Sequence, residues 1–197
     1  MGRILVTGGG GFLGKALLLA LHGRGFALST LNRDAYPELS ALGIRTVEGD
    51  IADFAAVKKA AEGCDLVFHV AAKAGVWGSY EDYYQANVVG TENVLRACRE
   101  LGIKRLVYTS SPAAVFDGSD QNGVDESVAY PQEYLAPYPA TKAAAERLVL
   151  AANSPDLATV ALRPHLIWCP GDRHLIPRII AKAKTNRLRF IGKTSHL

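Results

Sequence analysis

The 197-residue sequence is poor in sulfur, has no dominant charge and contains no long apolar stretch, and each absence removes a class of protein. Its three cysteines, Cys64, Cys98 and Cys169, are odd in number and widely scattered. They fit buried thiols in a reducing compartment better than a disulfide framework. The 22 basic and 19 acidic residues nearly cancel, leaving a net charge of +3 with no basic run, so nucleic acid is not an expected partner. The longest apolar runs fall far short of the roughly 18 residues a membrane span requires. Arg3-Ile4-Leu5-Val6-Thr7 opens the chain without a charged-then-apolar leader, and Val6 stands where N-myristoylation needs Ser or Thr. His22, His69, His165, His174 and His196 show no metal-ligand spacing. The expectation is a cytoplasmic protein with no metal and no membrane span. A chain of this length is one domain, or one domain and a fragment, large enough to bury a core without staples.

Short apolar runs alternate with helical patterns from end to end. Ile4–Thr7, Phe26–Leu31, Ile44–Glu48, Leu66–Val70, Arg105–Thr109 and Ala158–Leu162 read as strands, most without period-2 alternation, as strands buried on both faces do. Phe12–Arg24, Phe54–Glu62, Tyr80–Glu100, Pro139–Ala152 and Leu175–Asn186 read as helices, with Asp53 placed to cap the second. Gly23-Arg24-Gly25 and Leu101-Gly102 sit where helices stop. Strand and helix in strict turn predict an α/β fold with a doubly wound parallel sheet. The long irregular stretch, Pro112 to Tyr138, has the length of a loop beside a site. A further strand is expected at Arg187–Ile191.

Gly8-Gly9-Gly10-Gly11-Phe12-Leu13-Gly14 follows the first strand and opens the first helix. Glycine suits such a turn because the backbone visits positive φ and a Cβ would keep a diphosphate from the helix N-terminus. Strand, loop and helix in this order predict dinucleotide binding by Gly8, Gly11, Phe12, Leu13 and Gly14. Roughly 20 residues on, such folds place an acid for the ribose 2′-hydroxyl. Here the run is Leu31-Asn32-Arg33-Asp34. Asn32 takes the acid's position and Arg33 can pair with a 2′-phosphate, which favours NADP(H) over NAD(H); Asp34 serves instead if the strand ends two residues later. Asp50 and Ile51, Ala71 and Ala72 lie at the ends of later strands, where a parallel sheet lines its ligand crevice. Asp50 can accept from an adenine amino group or simply cap a helix. His69 reads as a satisfied strand-end histidine.

Tyr138-Pro139-Ala140-Thr141-Lys142 carries the chemistry. Pro139 suits a first helical position, which puts Tyr138 at the mouth and Lys142 one turn along the same face. A phenol with a pKa of about 10 is a poor base at neutral pH, and a neighbouring ammonium lowers it. Thr109-Ser110-Ser111 ends the strand before this helix, where a hydroxyl can bond a carbonyl oxygen while Tyr138 transfers its proton.

Together these segments resemble the extended short-chain dehydrogenase/reductase family, also called the NAD-dependent epimerase/dehydratase family. The resemblance runs from Arg3 to about Asp172. It rests on Thr7-Gly8-x-x-Gly11-x-x-Gly14, Gly49-Asp50, Asn87-Val88-Val89-Gly90-Thr91-x-Asn93, Tyr108-Thr109-Ser110-Ser111, Tyr138-x-x-x-Lys142 and Leu162-Arg163-Pro164. Ala71 to Gly78 and Ser110 to Gly118 resemble its 3β-hydroxysteroid dehydrogenase-like branch. The resemblance implies a Rossmann domain over residues 1–172 and the start of a substrate lobe over 173–197. It makes Tyr138 the acid/base, Lys142 the holder of the nicotinamide ribose, Ser111 the group that polarises the substrate oxygen, and Asn87 structural. The implied reaction is hydride transfer to or from a β-keto or β-hydroxy acid, with the ketone β to the carboxylate, or a 3-oxo/3-hydroxysteroid-like apolar substrate. Val76, Trp77, Val115 and Phe116 would line its path or belong to the core.

The chain departs from the family in three places. Ala113 and Ala114 stand where relatives often carry Ser, which leaves the serine role open between Ser110 and Ser111. Cys169 stands where Gly is usual and reads as a packed thiol. The family continues on the order of a hundred residues beyond Leu197, so the chain reads as truncated. Ser111-Pro112-Ala113 lacks the acidic pair of a sugar dehydratase. A nucleotide-sugar epimerase and a catalytically inactive dinucleotide-binding fragment stay open as alternatives. A homodimer through the helices Tyr80–Glu100 and Pro139–Ala152 is a further implication.

Overall fold

Six strands alternate with helices through the first of two units, Met1–His165 and Leu166–Leu197. The computed structural model describes residues 2–75, 77–168, 171–172 and 176–188. The strands are β1 (Arg3–Thr7), β2 (Ala27–Asn32), β3 (Arg45–Glu48), β4 (Cys64–His69), β5 (Arg105–Thr109) and β6 (Ala158–Leu162). All pair in parallel in the order β3-β2-β1-β4-β5-β6. The chain runs outward from β1 to β3, then returns to place β4 on the other side of β1. A sheet wound both ways opens a crevice beyond the carboxyl ends of β1 and β4, where ligands bind in such folds. Thr7 pairs with Leu31 on one side and His69 on the other at that point.

The helices of the first unit are α1 (Phe12–His22), α2 (Pro37–Ala41), α3 (Phe54–Ala61), α4 (Tyr80–Tyr84), α5 (Gly90–Leu101) and α6 (Pro137–Ala151). Two apolar clusters hold them to the sheet. Leu5, Val67, Leu106 and Tyr108 pack with α3, α5 and α6 residues such as Val57, Val94 and Val149. Ile4, Val6 and Leu28 pack with Leu18 of α1 and Leu39 of α2. The expected burial on both faces holds for β1 and β2. In contrast, β5 and β6 alternate, because α5 and α6 pack on one face of those strands.

Asp53 caps α3 by accepting the Ala55 N–H at 2.9 Å, and Gly102, at φ 68°, ends α5 in the left-handed conformation. Three local features differ from the sequence reading. The helix expected over Tyr80–Glu100 is interrupted by a π turn, Gln85–Val89, in which the Asn87 carbonyl accepts the Thr91 hydroxyl. One residue inserted into a helical turn leaves the apolar period almost unchanged, so the pattern hides it. The helix expected at Pro139 begins at Pro137, with Thr141 bonding back to the carbonyls of Pro137 and Tyr138. The five-residue α2 is too short to show a period. The stretch from Pro112 opens as a 3-10 turn (Pro112–Val115) capped by Ser111.

In the second unit, α7 (Ile176–Lys184) starts where Asp172 Oδ2 accepts the Ile176 N–H at 2.8 Å. Val76, Cys169 and most of the strand expected at Arg187–Ile191 lie outside the described residues. No helix of the described residues is long and apolar enough to cross a membrane, and no group of three His, Cys, Asp or Glu among them is placed to hold a metal.

Candidate active site

A cavity of about 720 Å³ follows the carboxyl ends of the central strands, from the glycine loop to Tyr138 and Lys142. Its volume is in the range of small-molecule sites. At one end Gly8, Gly11, Phe12, Leu13 and Gly14 form the wall. Gly8 lies at φ 71°, where a Cβ would also come within 2.9 Å of the Ala71 Cα. A Cβ on Gly14 would fall 2.2 Å from the Gly8 carbonyl oxygen, so this glycine lets α1 sit tightly on the loop. Gly11, the N-cap of α1, offers no side chain to the first-turn N–H groups. An uncapped helix start that borders a cavity is a natural seat for an anionic group.

Asn32 is buried and its Oδ1 accepts the Gly10 N–H at 2.8 Å. It therefore braces the loop while also lining the cavity. Arg33 and Asp34 are exposed residues of the same wall. The Asp50 carboxylate accepts the Ala52 N–H at 2.8 Å, and Asp50, Ile51, Ala71 and Ala72 all line the cavity.

At the other end, Tyr138 and Lys142 stand one turn apart on α6 and both face the cavity. Burial pushes the Tyr138 phenol above its ordinary pKa, opposed by a hydrogen bond with Ser111. Ser111 is thus the serine hydrogen-bonded to the tyrosine. Ser110 lines the cavity, but its hydroxyl is engaged, donating to the Glu146 carboxylate. Tyr83, 1% exposed, sets its ring edge-on to Tyr138 with centroids 6.4 Å apart and donates to the Trp77 carbonyl. Lys142 is 2% exposed. Its Nζ donates to the Thr109 carbonyl at 2.6 Å and lies 4.2 Å from the Tyr108 ring centroid. Burial draws the Lys142 ammonium down to about 7, against the pull of Glu146. The expected lowering of Tyr138 by Lys142 is not what governs the phenol here; burial is.

Sequence reasoning missed Glu146. This carboxylate, 1% exposed in the middle of α6, pairs with Arg163 at 2.5 Å and accepts from Ser110 and from the Tyr130 hydroxyl. Burial works to raise its pKa, and Arg163, Ser110 and Tyr130 overcome that and hold it below the ordinary carboxylate range. Arg147 and Arg163 also stack on Tyr130, with centroid distances of 4.3 and 5.7 Å. The signal available was the i,i+4 spacing of Lys142 and Glu146 in an alanine-rich helix. One charged pair so spaced is ordinary on a helix surface, and only burial makes it informative.

Residues 5–197 match the model of the 3-beta hydroxysteroid dehydrogenase/isomerase family. The chain belongs to this family. Among curated members it is 54% identical over 98% of its length to a 2-alkyl-3-oxoalkanoate reductase of Stenotrophomonas maltophilia (strain K279a), spanning 59% of that protein. It is 41% identical over 99% of its length to a farnesyl-dihydroquinoline-oxide ketoreductase of Stigmatella aurantiaca, again spanning 59% of the relative. Among solved structures, MoeE5 in complex with UDP-glucuronic acid and NAD superposes with a TM-score of 0.79 at 34% identity, over 92% of this chain and 61% of that one. The chain thus spans about three-fifths of the length of each of these three proteins. The named reductases are oxidoreductases, and the fold is the Rossmann-like fold of NAD-dependent enzymes.

Proposed function

We propose that this chain binds a nicotinamide dinucleotide, NADP(H) ahead of NAD(H), and that it is the core of a reductase acting on a ketone β to a carboxylate. The observation that carries this reading is one cavity joining the uncapped start of α1 to Tyr138 and Lys142. Gly8, Gly11, Phe12, Leu13 and Gly14 would hold the diphosphate, Asp50 and Ile51 the adenine, and Lys142 the nicotinamide ribose, with Ala71 and Ala72 as the inner wall. Asn32 is occupied with the Gly10 N–H and carries no charge, so nothing at its position repels a 2′-phosphate, and Arg33 beside it would pair with one. The bound cofactor supplies hydride to the carbonyl carbon. Tyr138 supplies the proton to the carbonyl oxygen, and the burial that raises its pKa keeps that proton in place until it is needed. Ser111 shares the oxygen through its hydroxyl. Lys142, poised near 7, is favoured in its charged form by phosphate in the same cavity. Trp77 and Phe116, 88% and 55% exposed, sit on the loops beside Tyr83 and the 3-10 turn and suit an apolar substrate chain. The same reading makes residues 173–197 the start of the substrate lobe, and extends to a cytoplasmic homodimer. The keto-acid relatives at 54% and 41% identity support it over a nucleotide-sugar epimerase.

Calorimetric titration of the chain with NADPH and with NADH tests the cofactor. Micromolar NADPH binding, about tenfold tighter than NADH, is expected. Tighter NADH overturns the role of Arg33, and binding of neither overturns the dinucleotide reading. With a 3-oxo acid, stoichiometric NADPH consumption is expected, and Tyr138→Phe should slow it about 10³-fold with NADPH affinity unchanged. Epimerisation without net consumption overturns the reductase.

A further inference from the structure

A one-way run of hydrogen bonds crosses the interior from the glycine-loop end of the crevice to Tyr138. Thr7, at the end of β1, accepts the backbone N–H groups of Val70 and Ala71 on its Oγ1, each at 3.1 Å. A hydroxyl has two lone pairs and one proton. Both acceptor sites are taken, so the proton goes to the third partner, Nδ1 of His69, at 2.8 Å. Nδ1 is therefore the bare nitrogen and Nε2 carries the hydrogen. Nε2 donates to Thr91 Oγ1 at 3.0 Å, and Thr91 donates onward to the Asn87 carbonyl within the π turn at 2.6 Å. The Asn87 amide donates to Thr141 Oγ1 at 3.0 Å, and Thr141 donates to the carbonyls of Pro137 and Tyr138 at 2.8 and 3.1 Å. Every donor points from Ala71 toward Tyr138.

We propose that His69, held as the neutral Nε2–H tautomer, is a positioning residue that ties the Thr7–Ala71 wall of the crevice to the π turn and, through Asn87 and Thr141, to the backbone that carries Tyr138. A neutral imidazole accepts at one end and donates at the other, which is what this junction requires. A second N–H at Nδ1 would meet a Thr7 oxygen whose lone pairs are already used. The groups facing the ring agree: Thr7 from β1, Thr91 from α5, the Tyr108 ring from β5 at 5.4 Å and the Lys142 cation from α6. Burial first, and Lys142 second, bring the imidazole down to about 3. The link to a cofactor wall rests on the dinucleotide reading above; the hydrogen-bond directions do not.

Nitrogen-15 NMR of the histidine-labelled chain tests the proposal, with His69→Gln assigning the resonance. His69 is expected to show bare Nδ1 and protonated Nε2 without change between about pH 5 and pH 8. A proton on Nδ1, or a titration in that range, overturns it. Amide exchange of His69→Leu gives a second readout. Exchange at Ala71 and at Thr141–Lys142 should quicken about tenfold beyond that of Leu28 in β2, with His69→Gln restoring part of the protection. Uniform quickening over all amides overturns the positioning role. If NADPH fails to bind the unaltered chain, the functional reading falls, while the tautomer and exchange results still decide the role of His69.

Discussion

The two ends of the crevice are built from different materials. Around β1, α1 and β2 the wall is mainly backbone: glycines pressed against one another and an uncapped helix start, braced by the neutral amide of Asn32, with the charged Arg33 and Asp34 at its exposed edge. Around β5 and α6 the wall is ionisable side chain and hydroxyl, Lys142 and Tyr138 with Ser110, backed by the buried Glu146 and its partners Arg163 and Tyr130. A backbone wall presents N–H groups at a fixed place whatever the pH. A wall of ionisable side chains can move a proton, but each buried charge needs a partner. The first kind of wall suits binding, the second chemistry.

Removing a partner from the charged wall should have the largest effect. Glu146→Ala leaves Arg163 and two hydroxyls without their acceptor, and a loss of about 3–5 kcal/mol in chemical unfolding is expected. A loss below about 1 kcal/mol would mean that water replaces the carboxylate and the wall is not dry. The backbone wall should respond to added volume instead. Gly14→Ala puts a methyl group 2.2 Å from the Gly8 oxygen, so about 2–3 kcal/mol of stability should be lost together with NADPH affinity. Retained affinity would show that α1 can slide.

The smallest effect separates the two walls by pH. Lys142 keeps its proton to about 10.5 unfolded but only to about 7 in the fold. Between those values the unfolded chain binds more protons, so stability rises with pH across that window and the burden of the buried charge is full below it. Lys142→Met should therefore be more stable than the parent by about 1–2 kcal/mol near pH 6, with the advantage fading as pH approaches about 10. A pH-independent difference would mean that Lys142 keeps the same pKa folded and unfolded, so that burial does not bear on its charge. Gly14→Ala should show no such pH dependence.

These differences follow what the sequence can and cannot express. The strands, the glycine loop and the one-turn spacing of Tyr138 and Lys142 are local patterns, set by the periods of helix and strand and by which residues tolerate a tight turn. They determined the doubly wound sheet and the end of it at which the crevice opens. The choice of Ser111 over Ser110 at Tyr138, the π turn at Asn87, the tautomer of His69 and the pairing of Glu146 with Arg163 were decided only in three dimensions. Each depends on partners far apart in the chain, 36 residues for Ser110 and Glu146 and 62 for Thr7 and His69. Hydrogen bonds and buried ion pairs are directional and satisfied by a few atoms, so they leave no period in the sequence; packing of β1, β4, β5 and α6 brings their atoms within reach.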